Sequence, residues 1–253
     1  MASKLWTREE LIMAIKLYCE LPFGKMHKGN PEVVKLAGLI GRTPSSVAYK
    51  LVNFASFDPS LKSRGIKGMG NTSKLDEEIW NEFYNDWEEL AFVSAKLSSK
   101  WEKEPLEKIY DLEGGELPKE GKEREQIVKT RVNQSFFRTT VLASYDFTCC
   151  ITGLKNPNLL IAGHIVRWSE DKKNRLNPRN GLCLNALHDR AFENGLITIT
   201  SDYKIKISSI LKKKANNAVE NYFLKYENED IILPSRFLPD KQFLEKHNAR
   251  FSK

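Results

Sequence analysis

The sequence predicts an α+β protein, with a helical module at the N-terminus and a smaller mixed domain behind it. Three observations carry that expectation. Residues 1–95 contain successive helix-start signals, each followed by apolar residues at helical spacing. Residues 96–125 are dense in Lys and Glu and poor in large apolar side chains, which reads as a charged linker. Residues 126–253 hold short apolar runs at Leu159–Ile165 and Gly195–Ile199, with a helix start between them at Leu187.

The first helix opens at Thr7, a good N-cap, with Glu10 at the capping-box spacing. Leu11, Ile12, Ile15, Leu17 and Tyr18 give it an apolar face, and it should stop before Pro22, which disfavours helix in the residue ahead of it. Asn30-Pro31-Glu32 starts a second helix, with Val33, Val34, Leu36, Ala37 and Ile40 as its stripe and Gly41 just past its end. Thr43-Pro44 starts a third, carried on by Val47, Ala48, Leu51, Val52 and Phe54. This arrangement resembles the SANT/Myb-like helix-turn-helix plan, in which the third helix lies in the DNA major groove. The resemblance implies that Arg42, Ser45, Ser46, Tyr49, Lys50 and Asn53 face outward as DNA contacts; the plain alternative is a helical bundle that only packs. Lys62, Arg64 and Lys67 follow in a glycine-rich stretch that reads as a basic or ordinary solvated loop. Residues 75–97 read as one further amphipathic helix, with Ile79, Trp80, Phe83, Trp87 and Leu90 on its core face.

With 253 residues, 41% of them apolar, the chain can bury a real core. Its 40 Lys+Arg against 33 Asp+Glu give a net charge of +7, which favours a polyanionic partner because neutralised phosphates release counterions. No stretch approaches the roughly 18–20 apolar residues needed to span a bilayer, so no membrane role is expected. The N-terminus lacks a signal-peptide pattern, and four cysteines are too few for a disulfide-stapled scaffold, so a reducing cytoplasmic setting is expected.

The chemistry concentrates between residues 149 and 200, where two of the four histidines lie. His164 ends a short apolar strand, Asn180 sits in a loop, and His188 opens a helix. Each has an ordinary reading: a core histidine, an Asn-Gly turn, a helix cap. Together they match what cutting a phosphodiester requires. Histidine titrates near neutral pH and can deprotonate water. A divalent cation neutralises charge developing on phosphate, and a neutral amide can orient the base.

The stretch GHIVRWSEDKKNRLNPRNGLCLNALHDRAFENGLITI, preceded by TCCITG, resembles the HNH, or ββα-metal, endonucleases of the restriction and phage-defence type. The resemblance implies His164 as general base, Asn180 as the central asparagine that orients the loop and in some members ligates the metal, and His188 as a metal ligand. It implies Mg²⁺ or Mn²⁺ as the cofactor, with Arg167 and Arg175 as phosphate contacts and Trp168 in the core. Many such enzymes place an Asp or His ligand immediately before the base, where this chain has Gly163. Asp189, next to His188, reads as a helix cap or a ligand. The paired Cys-x-x-Cys motifs that hold a structural zinc in many relatives are incomplete here, so buried free thiols are expected instead.

The resulting expectation is a metal-dependent endonuclease acting on double-stranded DNA, in restriction of or defence against foreign DNA. One such site cuts one strand, so double-strand cleavage implies a homodimer or two sequential nicks. The competing readings are a DNA-binding regulator with a non-catalytic HNH-like scaffold, an RNase or nuclease toxin, and the nuclease subunit of a partner-triggered defence complex.

Overall fold

Thr7 caps the first helix by accepting a hydrogen bond from the Glu10 N–H, while the Glu10 carboxylate accepts one from the Thr7 N–H. The resulting helix, α1, runs Arg8–Glu20. In this computed structural model the described residues are 5–66, 68, 72–112, 118 and 121–251. Helix α2 spans Pro31–Ile40 between the Asn30 cap and Gly41, whose left-handed backbone (φ 65°) ends it at no steric cost. Helix α3 spans Pro44–Phe54 under the Thr43 cap, and α4 is a single turn, Pro59–Lys62. Lys67 of the basic loop lies outside the described residues.

The single helix expected over 75–97 is two. Helix α5 (Lys74–Tyr84) ends at Asn85, and the Asp86 carboxylate takes the Glu89 N–H to start α6 (Trp87–Glu102). Asp86 is a strong cap, and caps compete with continuous helix for the backbone donors. A core of Leu11, Tyr18, Phe54, Ile79, Phe83 and Leu90 lies between these helices, all at 1% exposure or less. Trp80 stacks on Phe54 and meets Tyr18 edge-on. Part of the expected linker is helical: α6 continues to Glu102, a one-turn α7 covers Leu106–Ile109, and α8 runs Lys122–Ser144. The chain divides into two compact units, 1–140 and 141–253, so the division falls inside α8 rather than at 96–125.

In the second unit, β1 (Leu160–His164) pairs antiparallel with β2 (Gly181–Asn185), His164 opposite Gly181 and Leu160 opposite Asn185. Helix α9 (Ala186–Glu193) follows directly and packs on both strands. A second two-stranded sheet, β3 (Ile197–Ile199) with β4 (Ile205–Ile207), stands beside it. Short helices α10 (Ser209–Lys213) and α11 (Asn217–Tyr222) follow. The last helix, α12 (Lys241–Asn248), packs on β3. Among the described residues no helix is long and apolar enough to cross a membrane. All four cysteines are buried and outside any disulfide.

Candidate active site

His164 closes β1, where the chain leaves the hairpin for the long loop 165–180. Its Nε2 lies 2.9 Å from the carbonyl oxygen of Arg175, across that loop. A carbonyl only accepts, so Nε2 carries the proton and Nδ1 is the basic nitrogen. Burial lowers the pKa of the imidazole, only partly opposed by the Arg175 carbonyl. A neutral, oriented imidazole near pH 7 is the form a general base needs. Trp168 meets His164 edge-on at 5.6 Å, and the Arg175 guanidinium lies 5.0 Å over the Trp168 ring. Trp168 is half-buried and forms a side wall of the histidine site.

Asn180 is fully buried. Its Oδ1 accepts from the Val166 N–H at 2.8 Å, while its Nδ2 donates to Val166 O and to Asn174 O. Its own carbonyl receives the Ile165 N–H at 3.0 Å. One amide thereby ties the residues just behind His164 to the far end of the loop that supplies the Arg175 carbonyl. The Asn180 amide thus holds the loop, and the backbone oxygen of residue 175 holds the His164 ring.

His188 is buried in the first turns of α9. Its Nε2 lies 2.8 Å from Tyr222 O, and its Nδ1 lies 3.1 Å from Asn185 Oδ1, the N-cap side chain of the same helix. Phe223 and Tyr226 close on its ring edge-on. With Nε2 donating to the Tyr222 carbonyl, Nδ1 of the neutral ring faces the cap oxygen Asn185 Oδ1, and the amide groups of Asn180 are hydrogen-bonded within the loop. Among the described residues no group of three or more His, Cys, Asp or Glu side chains gathers to hold a metal ion.

The acidic group facing β1 is Asp189. A Cβ built on Gly163 would collide with its Oδ1, so the carboxylate occupies the space that a side chain at residue 163 would take. Burial and the neighbouring Glu193 raise its pKa to about 6, with Arg190 opposing. A carboxylate desolvated beside a bare strand end, one residue from His164, suits a hard divalent cation, which would relieve that penalty.

Residues 149–200 match the family described as HNH endonuclease. The chain carries an HNH domain. Comparison with curated proteins returned no match. The hairpin β1–β2, helix α9 and the loop between the strands all fall within the matched HNH stretch.

The other expected contacts separate into two groups. Arg167 stays largely exposed on the loop behind His164, donating to Glu193 O, and Arg175 lies against Trp168. On α3, by contrast, the outward face expected for DNA is largely turned inward. Lys50 is buried with both Asp76 oxygens at 2.8 Å, Asn53 is buried, and Arg42 is paired with Glu10 and the Leu5 carbonyl while lying 4.2 Å over Trp6. Only Ser45, Ser46 and Tyr49 remain at the surface. The physical reason is charge pairing: Glu10 and Asp76, both capping residues of other helices, supply the counter-charges that make burial of two cations affordable. The sequence reading missed strand β2, the Arg175 carbonyl and the direction of Asp189. Only β2 left a signal, in the apolar run Leu182-Cys183-Leu184 after a turn.

Proposed function

We propose that the protein is a metal-dependent DNA endonuclease in which His164 is the general base, with restriction of or defence against foreign DNA as its setting. The observation that carries the reading is the Arg175 carbonyl bound to His164 Nε2 at the end of an HNH strand, which leaves Nδ1 as the proton acceptor. In this reading Nδ1 takes a proton from water as the water oxygen forms its bond to phosphorus. The 3′-side ester bond to the leaving oxygen breaks, and a second water molecule protonates that oxygen. Asn180 keeps the loop closed so that the ring holds its angle, and Arg167 and Arg175 bind phosphates on either side. Asp189 would hold Mg²⁺ or Mn²⁺, with water and phosphate oxygens completing the shell, as Mg²⁺ commonly allows. When bound, the cation supplies charge neutralisation at the phosphate and the leaving oxygen. This assigns the metal to Asp189 in place of His188 and Asn180, whose Nε2–H and amide groups bond within the chain.

Conversion of supercoiled plasmid tests the reading. Wild type with Mg²⁺ or Mn²⁺ should nick or linearise it, EDTA should stop the reaction, and His164→Ala should be slower by roughly two or more orders of magnitude. A wild-type protein that binds plasmid, methylated and unmethylated alike, but never cuts would overturn it.

A further inference from the structure

Arg250, just past α12, reaches back to the loop behind His164. Arg250 donates from Nη1 to both oxygens of Glu170, at 2.8 and 3.0 Å, and from Nη2 to the Ile165 carbonyl at 3.1 Å. Ile165 is the residue after His164, and its N–H is already held by Asn180 O. The residue that follows His164 is therefore held at its N–H by the Asn180 carbonyl and at its own carbonyl by the Arg250 guanidinium.

The support under Arg250 is stiff. In α12, Phe243, Leu244 and His247 are buried. His247 stacks flat on Phe192 of α9, with centroids 3.7 Å apart, and its Nε2 donates to Phe192 O at 3.0 Å. The Thr198 hydroxyl of β3 lies 2.7 Å from its Nδ1. The start of the same segment grips the other end of the loop, through the Arg179–Asp240 ion pair at 3.0 Å and the Asp240 N–H on Arg179 O. Helix α9 carries Asp189 and the loop carries the groups that hold His164, so α12 joins the two halves of the site.

We propose that Arg250 is a positioning residue for the reaction centre, fixing the strand end of His164 against α9 through the Ile165 carbonyl. An exposed Arg–Glu pair alone contributes little stability. The charge-assisted bond to a backbone carbonyl acts through geometry, because a reacting group must be held within about 0.5 Å of its productive place. The inference rests on the nuclease reading above.

Full-length Arg250→Ala and Arg250→Lys, with Lys212→Ala as a control in a distant surface ion pair, separate positioning from plain stability. For Arg250→Ala, kcat on supercoiled plasmid should fall about 10- to 100-fold, with KM within about twofold of wild type. Arg250→Lys, which can reach one acceptor, should recover part of the loss. Amide exchange should quicken at Ile165 and Val166 while Leu182 and Cys183 in β2 keep their protection. Unchanged kcat in Arg250→Ala, or exchange that quickens equally throughout the unit, overturns the positioning role. A wild type that never cuts overturns the nuclease reading instead, and exchange at Ile165 still reports the clamp without turnover.

Discussion

The Nε2 proton of His164 and the space above Gly163 are the two atomic details on which the site turns. The first fixes which nitrogen is basic. The second explains how a strand lacking a side chain at residue 163 still has a carboxylate beside its end, since Asp189 Oδ1 stands where that side chain would begin. Gly163→Ala should therefore push the Asp189 carboxylate aside. The colliding atom is the far end of a rotatable side chain, so the fold should survive with little change in Tm. Mn²⁺ binding, measured by calorimetry on the uncut protein, should weaken about tenfold or more, and Asp189→Asn should weaken it further. Unchanged Mn²⁺ affinity in both variants would remove Asp189 from the metal site. His164 and Asn180 were legible in the sequence because their residue types and spacing are themselves the signal. Asp189 and the Arg175 carbonyl were not, because a side chain's direction and a backbone oxygen's partner depend on how a hairpin and a helix pack.

At the scale of elements, helix starts were the most legible feature, since Thr7, Asn30 and Thr43 each cap their own helix through bonds spanning two or three residues. What a helix face does was less legible. The polar residues of α3 fit an outward DNA-reading surface by sequence, yet Lys50 and Asn53 point into the unit. The counter-charge for Lys50 comes from Asp76, 26 residues away. Removing one partner of a buried pair leaves the other charge stranded, so Lys50→Met should cost on the order of 3 kcal/mol. Urea unfolding reads that cost. At a temperature where the variant stays folded, its affinity for duplex DNA should match wild type. A selective loss of DNA affinity with unaltered stability would restore α3 as a DNA-reading helix.

Over the whole molecule, the second unit contains three buried or half-buried histidines whose pKa values burial lowers, His247 the furthest, to about 4 from 6.5. A histidine with a depressed folded pKa binds fewer protons folded than unfolded. Its contribution is therefore fully present above about 6.5 and is lost as pH falls through about 4. For His247 the full loss is roughly 3 kcal/mol. Thermal unfolding between pH 7 and 4 should show a Tm that falls steadily on acidification, and His247→Gln should flatten that slope while lowering Tm at pH 7. A Tm indifferent to pH over this range in wild type would show that His247 is not held neutral. Since α12 is seated by His247, the same acidification should loosen the Arg250 clamp before the unit unfolds.

By itself the sequence determined the α+β class, the order of helix starts, the strand that ends at His164 and the HNH pattern of residues 149–200. These are local properties: caps, periodicity and spacing act over a few residues and need no knowledge of distant partners. The tertiary structure alone decided that the unit boundary falls inside α8, that Arg42 and Lys50 are buried counter-ions, that Asp189 rather than His188 faces β1, and that α12 braces the loop behind His164. Each of these depends on pairing groups far apart in the chain, and such pairing is settled by burial and charge compensation, which a linear pattern does not encode.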